Sequence, residues 1–259
     1  LPKIWKLEKY SLSLQKILYY LNKQVMKLVG FNFVHGSNVH SVDLRLSGTK
    51  KLGYAFIVQT YHFDIEQVIN NNLVLDSGTC FNCPLSFNQN NGKTGGCYTH
   101  KGNLRRGLGS KLRSLNKQYK TGKLLNNYDT VLSGLNKFAK DVKISLVRFG
   151  TYGEAVTLPL DLLDGLAKLS KRKTGYTHQW NKPEYKDYSK FLMASTHNVF
   201  EVNIAKDYGF RTFNVGKIEN SVMCPSSPTI KKIDRTPCAD CGLCAGNSIK
   251  AKDIYIPKH

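Results

Sequence analysis

Acidic side chains are scarce in this chain: 18 Asp and Glu stand against 38 Lys and Arg among 259 residues, a net charge of +20. So strong an imbalance attracts polyanions, nucleic acid first, because phosphate contacts release counterions whatever the base sequence. Solvated lysines in an Asn- and Lys-rich chain from an AT-rich genome would give the same count. No apolar run reaches the roughly 18 residues of a membrane span, and no segment has the layout of a signal peptide, so no membrane partner is expected. Internal repeats and low-complexity tracts are lacking as well. The cysteines number seven, an odd count that does not pair off completely into disulfides. A reducing cytosol, where thiols stay free for metal, is the expected compartment.

What is present is sulfur in two tight groups. Cys80, Cys83 and Cys97 lie in CFNCPLSFNQNNGKTGGC, and Cys224, Cys238, Cys241 and Cys244 in CPSSPTIKKIDRTPCADCGLC. C-x2-C with a third cysteine downstream, and C-x2-C-x2-C with a fourth upstream, turn several thiolates toward one point. Zn2+ and a 4Fe-4S cluster satisfy these spacings equally, and free redox-active thiols are the third choice. All seven cysteines are therefore candidate metal ligands, with Cys80, Cys83 and Cys97 as the cofactor-binding set. His100, three residues beyond Cys97, would complete a Cys3His zinc site. The loops carrying these cysteines are rich in Gly, Asn, Ser and Lys, so metal is expected to hold them in place. GKTGG, residues 92–96, lacks the G-x4-G-K-[ST] spacing of a phosphate-binding loop, which excludes a nucleoside triphosphatase of that type.

Alternating apolar and polar residues predict strands in SVDLRL and YAFIVQTYHF, followed by a short apolar run, LVLDSGTC, ending at Cys80. The spacing of Leu104, Leu108, Leu112 and Leu115 predicts an amphipathic helix over 103–116. Its other face is basic. Lys101, Arg105, Arg106, Lys111, Arg113 and Lys117 are the candidate nucleic-acid contacts, in a stretch without an acid from Lys101 to Lys123. From Val142 onward strands and helices alternate: KISLVRFG, LPLDLLDGLAKLS, TGYTH, FLMAST, VFEVNIAKDYGF, RTFNV, SVMC and DIYIPKH. That alternation predicts an α/β fold of parallel βα units forming a full or partial TIM-like barrel with cysteine-rich metal-binding loops. Residues 30–259 read as one such domain. Residues 1–29 read as an N-terminal extension, with an amphipathic helix through LSLQKILYYLNKQVMKL, or with residues 1–25 lying upstream of a natural start at Met26.

In parallel α/β folds ligands bind where strand carboxyl ends meet loops. Arg148, Tyr152 and Glu154 are expected to follow the strand of KISLVRFG, His178, Gln179 and Trp180 that of TGYTH, and Ser195 and His197 that of FLMAST. Arg148, Glu154, His178 and His197 are the candidate catalytic residues, as acid, base or phosphate-positioning groups. Structural ion pairs and buried, satisfied histidines are the competing assignments. Tyr176 and Trp180 are candidates to stack on a base or cofactor ring, or to pack in the core.

The ordered series C-x2-C-P-L…GGCY, R-x-G-x-Y-G, TGYTHQW, MAS, GFRTF, CPSS and C-x2-C-G-L-C-x-G resembles a family of cysteine-rich proteins encoded by bacteriophages and prophages, over roughly residues 35–259. The resemblance implies a protein working in the cytoplasm of an infected host bacterium. An early cysteine loop on a barrel-like strand order is also similar to radical SAM enzymes. That similarity implies an iron–sulfur-dependent enzyme acting on nucleic acid or nucleotides, with S-adenosylmethionine as cofactor. Cys80, Cys83 and Cys97 would then hold the open cluster, and Cys224, Cys238, Cys241 and Cys244 an auxiliary one. The C-x3-C-x2-C signature of that superfamily is not in the chain. The competing function is a non-catalytic, zinc-stapled nucleic-acid-binding protein of phage replication or genome handling.

Overall fold

The computed structural model describes residues 29–47, 55–73, 77–81, 83–84, 97, 102–124, 128–227, 229–231 and 234–257. Residues 1–28 of the N-terminal extension, Lys101 and His100 lie outside them, as does the side chain of Leu104; Val29, the last residue of that extension, already belongs to the first strand.

Three long strands open the fold: β1 (Val29–His35), β2 (Asn38–Ser47) and β3 (Ala55–Asp64). They form an antiparallel meander, β1 against β2 and β2 against β3, with Gly36 and Ser37 making the two-residue turn from β1 to β2. The chain then passes through helices α1 (Ile65–Asn70), α2 (Ser77–Cys80), α3 (Gly102–Lys120) and α4 (Asp129–Asp141). It returns as β4 (Ile144–Tyr152), parallel to β3. Beyond it come α5 (Leu160–Lys168), β5 (Lys173–Thr174), β6 (Tyr176–Thr177), β7 (Met193–Thr196), α6 (Val199–Asp207), β8 (Thr212–Val215), β9 (Ser221–Met223), α7 (Cys238–Cys241) and β10 (Asp253–Ile256).

One sheet has the order β1-β2-β3-β4-β5 and the other β6-β7-β8-β10-β9. Only Gly175 separates β5 from β6, so the two sheets share a continuous stretch of chain. Every described pairing from β3 through β9 is parallel. The expected α/β architecture with parallel strands is therefore present. No closed barrel forms among the described residues: one sheet ends at β1 and β5, the other at β6 and β9.

Alternation along the strands divides the core. Val58, Val147 and Phe149 join Phe33, Val42, Leu135, Leu162 and Leu166 in a cluster under α4 and α5, whereas Tyr61, Phe63 and Tyr152 pack with Leu108, Leu112 and Leu115 of α3. The leucine stripe thus does what its spacing predicts, on a helix longer than 103–116. Other expectations change. The apolar run LVLDSGTC does not lead straight from a strand to Cys80: residues 77–80 form the helical turn α2, and α1 stands between β3 and the first cysteine. Helix α4 is an element the sequence pattern hid. Among the described residues no helix is long and apolar enough to cross a membrane.

Candidate functional site

The turn after β4 needs a glycine. Gly153 has φ +75°, and a Cβ there would sit 2.6 Å from the His62 carbonyl oxygen and 3.1 Å from Thr79 Cβ. No side chain fits that gap, and only glycine takes this backbone conformation without strain. The close approach lets the Glu154 amide donate to the Thr79 carbonyl at 2.8 Å. That bond fastens the α2 turn, and with it the backbone at Cys80, to the start of the segment that carries Glu154. One turn further, the Cys83 amide donates to the Cys80 carbonyl at 2.9 Å, the local geometry of a C-x2-C knuckle.

His178, immediately after β6, meets this carboxylate. Its backbone amide donates to both Glu154 oxygens, at 3.1 and 3.3 Å, and its Nδ1 lies 3.0 Å from Oε1. On the other side of the ring, Nε2 lies 4.0 Å from Cys83 Sγ. Burial pushes the imidazole pKa down, but the contacts with Cys83 and Glu154 outweigh it and hold it up at about 10. Glu154 is itself buried, so a charged partner offsets its desolvation.

His197, after β7, stacks on His178 with ring centroids 6.0 Å apart and an interplanar angle of 14°. Its position is set by the start of α6, where Asn198 caps the helix by accepting from the Glu201 amide, and Glu201 in turn accepts from the His197 amide at 2.8 Å. Burial lowers its pKa, and the neighbouring His178 adds to that against an opposing pull from Glu201. Its Nε2 is buried with no hydrogen-bond partner among the described residues.

Four sequence candidates, Cys83, Glu154, His178 and His197, therefore come together. Arg148 does not follow β4 as expected: it lies inside the strand, between Gln59 and Thr174 on the neighbouring strands. Trp180 is a core residue packed with Ala194, Ala205 and Phe210, its indole donating to the Ser195 carbonyl, so it is no stacking platform.

The second cysteine group gathers elsewhere. Cys224 follows β9 and its amide donates to the Tyr255 carbonyl at 2.8 Å. Helix α7 seats Ala239 against Ile57 and Leu146, with Cys238 at the edge of that cluster. Burial pushes the Cys244 thiol up to about 12 against a hydrogen bond with Tyr176, and Cys224, Cys238 and Cys241 are near enough to raise it further. Burial likewise raises Tyr176, with Cys244 adding to it. Sequence reasoning missed Arg211, whose guanidinium donates to the carbonyls of Leu243, Gly246 and Ala251 at 2.9, 2.8 and 3.0 Å and also to that of Lys252. Arg211 and Ala239 thus tie this loop to the sheet, contacts to which the expected metal would add. Among the described residues, no three His, Cys, Asp or Glu side chains converge closely enough to hold an ion as they stand.

On α3, Arg105, Arg106, Arg113 and Lys117 are exposed. Lys111 is turned inward, with Nζ 2.6 Å from Asp43 Oδ2, 3.0 Å from Ser41 Oγ and 4.7 Å above the Tyr61 ring. It serves the fold.

Compared with models of known protein families, with curated proteins and with solved structures, the chain matches none.

Proposed function

We propose that this protein binds metal through both cysteine groups and contacts nucleic acid through the exposed basic face of α3. The observation that carries this reading is that Cys224, Cys238 and Cys241 lie near enough to Cys244 to oppose its ionisation, on backbone held by the bond from the Cys224 amide to the Tyr255 carbonyl and by Ala239 packed against Ile57 and Leu146. These three thiols raise the cost of ionising Cys244, and a cation among them reverses the sign of that interaction. The four sulfurs come from three places in the fold: the end of β9, helix α7 and the turn after it. A metal there supplies several thiolates with one shared partner. Arg105, Arg106, Arg113 and Lys117 put same-sign charge on a single exposed helix face, which suits a phosphate backbone. The bacteriophage or prophage setting, in the cytoplasm of a host bacterium, comes from the motif resemblance.

A second reading, an iron–sulfur-dependent enzyme of radical SAM-like, partial-barrel type acting on nucleic acid or nucleotides, draws on the sheet. Its parallel array begins at β3, and the three-cysteine segment comes between β3 and the next parallel strand. S-adenosylmethionine belongs to this reading alone.

Anaerobic purification followed by elemental analysis, visible absorbance and electron paramagnetic resonance tests both. Stoichiometric zinc in a colourless sample supports the first reading, and a brown, iron-containing sample whose reduced form gives a cluster signal supports the second. Protein that is folded and takes up neither metal refutes the metal-binding account.

A further inference from the structure

We propose that His178 Nε2 is the fourth ligand of a single zinc-class ion held by the Cys80, Cys83 and Cys97 thiolates, with Glu154 as the carboxylate that orients it. This rests on the metal-binding reading above and deepens it.

Tetrahedral zinc, with Zn–S of about 2.3 Å and Zn–N of about 2.0–2.1 Å, needs a sulfur-to-nitrogen separation of about 3.6 Å. Cys83 Sγ and His178 Nε2 stand 4.0 Å apart, so a small side-chain shift brings them to ligand spacing. The same 4.0 Å is at the outer limit of a thiol hydrogen bond, so hydrogen bonding alone accounts for the approach poorly. The remaining ring nitrogen is already engaged. Nδ1 faces Glu154 Oε1 at 3.0 Å, the carboxylate–histidine arrangement that fixes the tautomer presenting Nε2 to a metal.

The backbone supports this orientation at each step. Gly153 lets Glu154 reach the Thr79 carbonyl, Thr79 precedes Cys80, and the Cys80 carbonyl accepts from the Cys83 amide. Cysteine knuckle, histidine and orienting carboxylate are thus locked together by elements far apart in sequence. Cys97 enters through its spacing from the C-x2-C pair. A buried polar atom without a protein partner marks a place where a ligand's hydrogen bond fits, and His197 Nε2, on the ring stacked over His178, is such an atom. The protons displaced from His178 Nε2 and from the three thiols leave to solvent, and no redox step is involved.

The test uses the full chain, stripped with chelator under reducing conditions and titrated with Co2+ and then Zn2+. Wild type should take up one ion at each cysteine group. His178→Ala should weaken one of the two sites by more than the roughly 10–100-fold that loss of an orienting carboxylate produces, and Glu154→Gln by about that amount. His178→Cys should restore tight binding with the Co2+ absorption displaced toward that of an all-thiolate site, which separates ligand loss from misfolding. If wild type binds metal and His178→Ala leaves affinity and Co2+ spectrum unchanged, His178 is not a ligand, while the metal-binding reading stands. If metal-loaded wild type has Cys83 rapidly alkylated by iodoacetamide, the Cys83–His178–Glu154 alignment serves a nucleophile and the ligand assignment is overturned. If wild type binds no metal, both fall.

Discussion

Glu154 and His178 are 24 positions apart in the chain, yet one carboxylate grips both the backbone amide and the ring Nδ1 of the histidine, the latter at 3.0 Å. The arrangement makes a prediction for metal-free protein. Burial lowers the imidazole pKa and the contacts with Cys83 and Glu154 raise it to about 10. Glu154→Gln keeps the shape and removes the charge, so the His178 ring titration followed by NMR should fall toward its ordinary value of about 6.5. A titration that stays near 10 in this variant would assign the shift to another group.

His62 and His40 give the opposite sign. Their Nδ1 atoms lie 2.9 Å apart in the core, and His62 Nε2 lies 2.9 Å from Thr60 Oγ1. Burial lowers the His62 pKa to about 3, and burial together with His62 and His35 lowers that of His40. Between pH 6.5 and about 3 the unfolded chain binds protons that the folded core refuses. The contribution of such a buried imidazole is therefore full above pH 6.5 and falls with acid, by about 1.4 kcal/mol per pH unit. Urea unfolding at a series of pH values should show this slope, and His62→Asn should flatten it. An equal slope in the variant would exclude His62 as its source.

Residues on α3 divide by what they touch. Reversing charge at Arg105, Arg106 and Arg113 should weaken binding to a DNA or RNA oligonucleotide and flatten its salt dependence, with the melting temperature little changed. Lys111→Ala should act on the fold instead, costing about 3–5 kcal/mol because the buried Asp43 carboxylate loses its partner at 2.6 Å. Oligonucleotide titrations and chemical denaturation of the same variants check both halves.

Arg211→Ala removes charged donors from the carbonyls of Leu243, Gly246, Ala251 and Lys252. A hydrogen bond from a charged group contributes about 1.5–3 kcal/mol, so the variant should lose at least about that much stability. Hydrogen exchange should quicken at residues 243–252 before the rest of the chain. Protection there equal to wild type would show that the loop is held without Arg211.

How much of this was legible in the sequence differs with the range of the interactions. The two cysteine groups, the later βα alternation and the buried Leu108, Leu112 and Leu115 follow from spacing, which is local. Helix α4 escaped notice because Gly134 interrupts its pattern. Its reason is tertiary: a Cβ there would lie 2.3 Å from the Phe31 ring. Lys111 looked like one more surface charge, since nothing near it in sequence announces Asp43 on β2. His178 and Glu154 were each singled out by their place at strand ends, but their pairing depends on β4 and β6 being brought together by the sheet. LVLDSGTC has the apolar run of a strand, and the fold uses part of it as the turn whose backbone is fastened to the start of the segment that carries Glu154.

Native mass spectrometry of the full chain, expressed and purified without oxygen, tests the metal account most directly. The intact mass should exceed the polypeptide mass by metal at each cysteine group, and chelator should return it to the bare chain while lowering the melting temperature. A folded chain at its bare polypeptide mass, with a melting temperature indifferent to chelator, would contradict it.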